Sequence, residues 1–341
     1  MARVVMADDG IAFDGAMAER GPLGGAETAF VALAEALAAR GHEVEARSNC
    51  LAPVRHREVN WAPLSSGVPD TCDLYIGNRS FRVMGLSAPR RRVFWLHNPG
   101  WYLRKPRNAW RLAWYRPIVV STSRYHASTV PAWLRDGGRV VIPYGMLDRF
   151  RHAEPRHPPL PRAVFTSNPL RGLDWLLDLW VSRIRPAVPK AELHIYAGAA
   201  VYGGAIKGAS AMTTVLAQAE ALSGHGVRRH APVGRETLTE VLTGARAMLY
   251  RGDPGETFCL ALAEAQALGV PAVVTPLGSV GERVVDGVTG RVAENDDAFV
   301  EAAIAVLRDD AVWRQWHLAA LAQQRGLSWD DVAARYEALL G

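Results

Sequence analysis

The sequence predicts an α/β protein with two doubly wound parallel sheets. Residues 3–48 run strand, glycine-rich loop, helix, strand, which is the βαβ unit of such a sheet. This alternation breaks at 151–162, a segment rich in proline and charge, and then restarts. A chain of 341 residues also favours two domains of ordinary size. We therefore predict domains at 1–150 and 163–326, a linker at 151–162 and a closing helix in 327–341 that crosses back to the first domain.

The amino-acid composition favours a globular protein. The chain is 49% hydrophobic and 21% charged, which is typical of a globular protein with large cores. The start lacks the apolar stretch of a signal peptide, and no apolar run is long enough to span a membrane. Cys50, Cys72 and Cys259 form neither a disulfide framework nor a metal-binding spacing. We therefore expect a cytoplasmic protein with no metal site.

The net charge of +5 suits an anionic ligand or membrane surface. It is too small to indicate nucleic acid, and the sequence carries no nucleic-acid-binding motif.

The first βαβ unit places two glycines before a helix. A strand at 3–7 leads to a loop that ends with Gly24 and Gly25, and a helix follows at 28–41, then a strand at 42–48. Such a loop either lets a ligand phosphate or sugar approach the backbone or makes a tight turn, and the sequence favours neither.

Further strands are predicted at 72–78 and 91–99, and His97 lies at the carboxyl end of the second. Ligands of open α/β sheets bind at that edge, so we take His97 as a candidate site residue. A helix at 124–134 and strands at 117–123 and 139–146 complete this half.

The stretch 101–117 combines arginine with tryptophan and tyrosine. One interpretation is an acceptor site, or a membrane-facing surface that makes a peripheral membrane contact. The other interpretation is a solvated amphipathic helix. The solvated helix is the favoured interpretation.

The second half repeats the strand–helix alternation. Strands are predicted at 163–168, 191–198, 227–234 and 246–252, and helices within 169–186 and at 210–222, 235–245, 296–310, 312–326 and 328–341. A glycine-rich loop at 198–208 contains Lys207.

The stretch between residues 255 and 290 carries the strongest chemical signal. Glu256 and Glu264 stand eight residues apart around the predicted start of a helix, Gly269 ends that helix, and a buried strand follows at 270–274. A helix N-terminus at Glu256 would direct backbone N–H groups towards an anion. Two acids beside an anion site fit a ligand that also carries hydroxyls, such as a nucleotide-sugar.

The spacing of the two glutamates argues against their acting as an acid/base pair. Eight helical residues rise about 12 Å, so the carboxylates would not touch. We therefore expect them to accept hydrogen bonds from hydroxyls. No second carboxylate is identifiable for a double displacement of the glycosidase type.

This stretch resembles the C-terminal signature of retaining glycosyltransferases of family 4, which have the GT-B fold. The matching residues are Glu256, Glu264, Gly269-Val270-Pro271, Gly278 and Asp286-Gly287-Val288-Thr289-Gly290. The segments 24–44, 140–150 and 167–177 are similar to further family motifs, in the family's order, with His97 and Arg171 at its histidine and basic positions.

The resemblance implies two Rossmann-like domains facing across a cleft, the first for the acceptor and the second for the donor. It implies retaining transfer of a hexose-type sugar from a nucleotide-diphosphate sugar to a hydroxyl of a saccharide, lipid-linked glycan or small molecule. Transfer would follow a front-face route that needs no metal and no cofactor, in which stabilisation of the diphosphate charge is the main contribution of the protein.

The resemblance also implies roles for individual residues. Glu264 would accept hydrogen bonds from the ribose and Glu256 from the donor sugar. Arg171 would neutralise the diphosphate, and His97 would position the transferred sugar. Backbone N–H groups around Phe258, Cys259 and Leu260 would contact the sugar and diphosphate, and the Gly24–Gly25 loop would complete the site.

Two departures from the family pattern concern the donor. Thr257 and Cys259 occupy positions that are commonly glycine, which restricts the backbone there and could alter donor shape. The usual glycine–arginine pair before Arg171 is absent. Lys207 either supplies the second cation or is a solvated loop lysine, and the solvated lysine is favoured.

Two other classes stay open on the sequence alone. One is another GT-B protein, such as an epimerase or an inverting transferase. The other is a non-catalytic subunit that binds a nucleotide-sugar.

Overall fold

The computed structural model describes residues 1–21, 23–198 and 208–341. The chain divides into two compact units. Unit 1 comprises Met1–Gly145 and Leu327–Gly341, and unit 2 comprises Met146–Gly326. The division thus falls before the predicted end of the first domain at residue 150, and the proline-rich segment 151–162 lies in unit 2.

Unit 1 is built on an eight-stranded sheet with the order β3-β4-β2-β1-β5-β6-β7-β8. Each neighbouring pair is parallel except β3 and β4, which pair antiparallel. The strands are β1 Arg3–Ala7, β2 Glu43–Ser48, β3 Val54–His56, β4 Val59–Pro63, β5 Thr71–Asn78, β6 Ala88–Trp95, β7 Ile118–Ser121 and β8 Gly138–Val141. The β3–β4 pair falls where the sequence shows no recognisable strand pattern.

The helices of unit 1 come from both ends of the chain. They are α1 Met17–Arg20, α2 Gly25–Ala39, α3 Pro106–Tyr115, α4 Arg124–Ser128 and α13 Trp329–Glu337. The helix predicted at 124–134 ends early, because Pro131 disfavours a helical conformation in the residue before it. Helix α13 starts with a capping box between Ser328 and Asp331 and is paired to the end of α2 by Arg40, whose guanidinium lies 2.7 Å from Glu337.

Unit 2 contains a six-stranded parallel sheet with the order β11-β10-β9-β12-β13-β14. Its strands are β9 Arg162–Phe165, β10 Glu192–Tyr196, β11 Val227–His230, β12 Ala247–Gly252, β13 Ala272–Leu277 and β14 Gly290–Val292. Its helices are α5 Asp148–Arg151, α6 Leu173–Leu179, α7 Arg185–Ala187, α8 Ala209–Ala221, α9 Arg235–Thr243, α10 Leu260–Ala267, α11 Asp296–Arg308 and α12 Asp310–Gln323. A π-helical segment, Trp180–Ile184, joins α6 to α7.

Buried aliphatic and aromatic side chains cover the faces of both sheets. Val4, Val5, Leu74 and Ile76 are fully buried in unit 1, as are Val164, Leu249 and Val273 in unit 2. This is the apolar composition that parallel strands buried on both faces require.

Among the described residues, no helix combines the length and apolar character needed to cross a membrane.

Candidate active site

The loops that follow three neighbouring strands of unit 2 carry the candidate donor residues. Strands β9, β12 and β13 are adjacent and parallel, so their carboxyl ends meet at one edge. Arg171 follows β9, Glu256 follows β12 and Gly278 follows β13. The topology therefore brings together residues that are far apart in sequence, at the edge where such sheets bind ligands.

Two backbone hydrogen bonds fix the position of Glu256. The Glu256 N–H donates to the Asp253 carbonyl at 2.9 Å, and the Glu256 carbonyl accepts from the Ser279 N–H at 2.9 Å. Gly278 has a left-handed φ of +65°, and a Cβ atom there would lie 2.3 Å from the Asp253 carbonyl oxygen. Only glycine fits this position, which explains why the sequence motif contains one.

The Glu256 carboxylate is buried and paired. Arg171 Nη1 donates to Glu256 Oε1, and the Tyr250 hydroxyl donates to the same oxygen at 2.5 Å. Burial alone would lower the Arg171 pKa, but the charge of Glu256, its hydrogen bond to Arg171 and the nearby Tyr250 together outweigh burial and raise that pKa. Burial raises the pKa of Tyr250 well above its ordinary value, so its hydroxyl stays protonated as a donor.

The prediction that a helix starts at Glu256 is wrong. Helix α10 begins at Leu260, and Glu256 lies in the preceding loop. The break comes at Cys259, whose φ of 63° and ψ of 70° are left-handed and cannot continue a right-handed helix. The estimate of helical rise between Glu256 and Glu264 therefore does not apply, although Glu264 does lie in α10.

The residues between Glu256 and α10 are mostly withdrawn from solvent. Thr257, Phe258 and Cys259 are buried, and Leu260, the first helical residue, is partly exposed. The Arg283 guanidinium covers the Phe258 ring at 4.6 Å from its centroid, a cation–π contact. Burial raises the pKa of the Cys259 thiol well above its ordinary value, so Cys259 is a neutral packing residue.

Glu264 has its own arginine partner. Its carboxylate is buried and pairs with Nη1 of Arg235, the first residue of α9. Burial raises the pKa of Glu264, while Arg235 acts in the opposite direction. Each glutamate of the motif is thus buried and neutralised by an arginine from a different segment of unit 2.

His97 lies in unit 1 at the corresponding sheet edge, where β1, β5 and β6 are neighbours. Its Nδ1 is bonded to the Tyr144 hydroxyl and its Nε2 to the Asn78 side-chain oxygen, and Asn78 Nδ2 donates to Asp8. Burial lowers the His97 pKa well below its ordinary value, and the Arg79 charge acts in the same direction. His97 is therefore a neutral imidazole held by the Tyr144 hydroxyl and the Asn78 side chain.

An arginine joins this cluster to the glycine loop. Arg79 donates to Asp8 at 2.8 Å and to Glu27, in the first turn of α2, at 2.7 Å. Gly24 is the extended N-cap of α2 and Gly25 its first residue. Gly24 has a φ of −60°, which any residue can adopt, so backbone geometry does not by itself require glycine there.

Lys207 lies outside the described residues.

Sequence reasoning missed Tyr250 and Arg235. Arg235 follows β11 at the carboxyl edge of the sheet, the same signal that singled out His97. Tyr250 could not have been found in this way, because its role depends on how the loop after β12 folds back.

Known proteins resemble this chain in sequence and in fold. Residues 161–309, which lie within unit 2, match the family described as glycosyl transferases group 1. The D-inositol 3-phosphate glycosyltransferase of Xylanimonas cellulosilytica is 34% identical over 134 residues, which is 37% of this chain and 32% of that protein. The chain thus spans about a third of the length of this curated relative.

Solved structures resemble the chain over nearly its whole length. Sucrose-phosphate synthase from Thermosynechococcus elongatus has a TM-score of 0.78 at 16% identity, covering 99% of this chain and 98% of that one. Anabaena HepE in complex with UDP-glucose has a TM-score of 0.71 at 13% identity, covering 100% and 99%. The chain therefore has the GT-B fold, with two Rossmann-like parallel-sheet domains.

Proposed function

We propose that this protein is a retaining glycosyltransferase of family 4 that moves a hexose-type sugar from a nucleotide-diphosphate sugar to a hydroxyl acceptor. The observation that carries the proposal is the pair of buried glutamates, Glu256 and Glu264, each held by an arginine at the edge of the unit 2 sheet. The group 1 match over the same unit supports it.

Arg171 is suited to receive the diphosphate. Its side chain is 34% exposed, whereas that of Glu256 is 6% exposed, so Arg171 is the more accessible member of the pair. A guanidinium has five N–H donors, and Nη1 contacts Glu256. The donors left over can bind phosphate oxygens, and this charge-assisted contact strengthens as the leaving group gains negative charge.

Glu256 and Glu264 would bind donor hydroxyls. A nucleotide-sugar carries hydroxyls on its hexose and on its ribose, and buried carboxylates bind them as acceptors. The Glu264 side chain is 4% exposed and that of Arg235 is 19% exposed. The ribose would therefore have to displace or share Arg235 to reach Glu264.

The resemblance to retaining enzymes implies the course of the reaction. The anomeric carbon–oxygen bond to the diphosphate breaks, the acceptor oxygen attacks from the same face, and its proton passes to the departing phosphate. Arg171 stabilises the charge that develops on the diphosphate, and His97, held neutral, positions the sugar. No residue of the chain forms a covalent intermediate in this scheme.

The relatives guide the choice of substrates. Several curated relatives are described as D-inositol 3-phosphate glycosyltransferases, and HepE was crystallised with UDP-glucose. We therefore propose UDP-hexoses as first donors and hydroxyl-rich small molecules, saccharides and lipid-linked glycans as acceptor classes.

The test is donor turnover by the full chain, with and without acceptors of these classes. We expect Arg171→Ala to lower turnover about 10²- to 10³-fold, as for loss of one group that stabilises transition-state charge. Glu256→Gln keeps a similar shape but loses the charge, and we expect a loss of the same order. Matched controls are the exposed residues Arg314 and Glu301 of unit 2, changed to Ala and Gln.

Unchanged turnover in Arg171→Ala or Glu256→Gln would refute the assigned roles. An inverted product anomer by NMR would instead indicate an inverting transferase, and epimerised donor would indicate an epimerase. Tight nucleotide binding without hydrolysis or transfer would indicate a non-catalytic subunit.

A further inference from the structure

The helix α3 of unit 1 has one side fixed in the core. Leu112 is fully buried, and Ala109 and Tyr115 pack against the same apolar cluster. Leu103, in the turn before the helix, is also fully buried. The orientation of the helix is therefore set by packing, and its opposite side must face outwards.

The outward side carries large aromatic rings. Trp110 and Trp114 are 62% and 70% exposed, and Trp101, just before the helix, is 43% exposed. The rings of Trp110 and Trp114 stack on each other, with centroids 5.7 Å apart and an interplanar angle of 21°. Such a concentration of exposed aromatic surface is unusual for a face that contacts only water.

Basic residues lie close to these tryptophans in the sequence. Arg104, Lys105, Arg107 and Arg111 are all exposed, and no acidic residue occurs between positions 101 and 116. Across the part of the chain that the structure describes, no carboxylate pairs with Arg107 or Arg111. We call the three tryptophans and these four basic residues the basic aromatic face.

We propose that the basic aromatic face binds the surface of a membrane that contains anionic phospholipids. Tryptophan prefers the boundary between headgroups and acyl chains, where its ring is in an apolar region and its N–H near water. Arginine and lysine beside the rings complement the negative headgroups. The helix would lie parallel to the membrane with its tryptophans inserted.

Single-stranded nucleic acid would also contact arginine and aromatic rings, but the structure favours lipid. Stacking of bases requires free ring faces, and the mutual stacking of Trp110 and Trp114 occupies one face of each ring. The small net charge of +5 also gives little general attraction for a polyanion.

The proposal goes beyond the proposed function, because it uses none of the donor residues. It predicts that the full chain sediments with vesicles of phosphatidylcholine and phosphatidylglycerol, but weakly with phosphatidylcholine alone. Each basic residue near an anionic surface contributes about fivefold in affinity. Arg107→Gln/Arg111→Gln should therefore bind about 25-fold more weakly, by the same principle.

The aromatic contribution is tested separately. Trp110→Ser/Trp114→Ser should bind roughly tenfold or more weakly, because the rings no longer leave water. Binding by this variant should still fall with added salt. The Trp110→Ser/Trp114→Ser variant should hydrolyse the donor as the wild type does, and Arg171→Ala should bind vesicles as the wild type does. Failure of the membrane proposal can therefore be distinguished from failure of the proposed function.

Matched controls lie on unit 2. Arg308→Gln/Arg314→Gln removes the same charge from exposed positions, and Leu160→Ser removes an exposed apolar side chain that is 74% accessible. Both should bind vesicles as the wild type does. Circular dichroism and thermal melting check that every variant is folded.

Three outcomes would overturn the proposal. The wild type could fail to bind anionic vesicles at low salt. The folded double variants could bind as well as the controls do. The chain could bind a labelled single-stranded oligonucleotide through Arg107 and Arg111 while ignoring vesicles, which would assign the basic aromatic face to nucleic acid.

Discussion

Removal of Arg235 should destabilise the protein in a way that depends on pH. Arg235 neutralises Glu264, whose side chain is only 4% exposed. Breaking a buried ion pair by removing one partner typically costs about 3–5 kcal/mol, because the remaining charge is uncompensated. In Arg235→Ala the carboxyl group can escape part of this cost by binding a proton.

The cost of that protonation sets an upper limit on the electrostatic loss. The ordinary pKa of the Glu264 carboxyl group, which applies in the unfolded chain, is 4.5, and holding the group protonated costs about 1.4 kcal/mol for each pH unit above that value. The limit is therefore about 3.4 kcal/mol at pH 7 and about 0.7 kcal/mol at pH 5.

The sign follows from proton binding. Burial raises the pKa of Glu264, and Arg235 opposes this shift. Without Arg235 the folded protein holds the proton at pH values where the unfolded chain has released it. Stability of the variant therefore falls as pH rises above about 4.5, relative to the wild type.

Thermal melting at pH 5 and pH 7 measures this dependence. One kcal/mol corresponds to about 2–4 °C for a domain of the size of unit 2, so Arg235→Ala should lose several degrees more at pH 7 than at pH 5. Glu264→Gln combined with Arg235→Ala has no carboxylate and should show no extra loss at pH 7. An equal loss at both pH values, or no rescue by Glu264→Gln, would refute the reasoning.

Four further predictions concern backbone geometry and a buried histidine. Gly278→Ala should destabilise unit 2 by several kcal/mol and abolish donor turnover, because a Cβ there would lie 2.8 Å from the Glu256 carbonyl oxygen. Cys259→Gly should stay within about 1 kcal/mol of the wild type in urea unfolding, because relief of the left-handed conformation offsets the lost thiol packing and added chain entropy. Cys259→Val should be less stable by about 2 kcal/mol or more, because a branched side chain is strained there. The pKa of His126 is lowered to about 4 by burial, so its contribution of roughly 3 kcal/mol is present above pH 6.5 and is lost between pH 6.5 and pH 4.

Each of these predictions has a control variant or an outcome that would contradict it. At Gly281 a Cβ would meet nothing within 4 Å, so Gly281→Ala should be neutral, and equal effects of the two glycine variants would contradict the account of Gly278. A Cys259→Val protein as stable as the Cys259→Gly protein would contradict the left-handed strain. For His126, an NMR titration midpoint near pH 6.5 in the folded chain would show that burial does not disfavour its charge.

The order of strands and helices could largely be predicted from the sequence, because buried parallel strands and alternating helices have strong apolar patterns. Strand β1 at Arg3–Ala7 has the predicted bounds, and β12 differs from the prediction by one residue. The β3–β4 pair could not be predicted, since both strands are short and partly exposed at the sheet edge.

Only part of the candidate site could be predicted from the sequence. The motif identified Glu256 and Glu264, because their spacing is characteristic. The helix start was misplaced because a left-handed cysteine is rare and leaves no signal in composition. The partners Arg235 and Tyr250 depend on which loops the sheet order brings together, and this long-range information is absent from any local pattern.

Binding of a nucleotide-sugar to unit 2 is the most direct test of the central claim. Titration of the full chain with UDP-glucose and other nucleotide-sugars, followed by thermal melting, detects stabilisation of about 2.7 kcal/mol when ligand is at a hundred times its Kd. We predict stabilisation by at least one nucleotide-diphosphate sugar, and its loss in Glu264→Gln and Arg171→Ala but not in Arg314→Ala. Failure of every nucleotide and nucleotide-sugar to stabilise the folded wild type, or equal stabilisation of all these variants, would contradict the account.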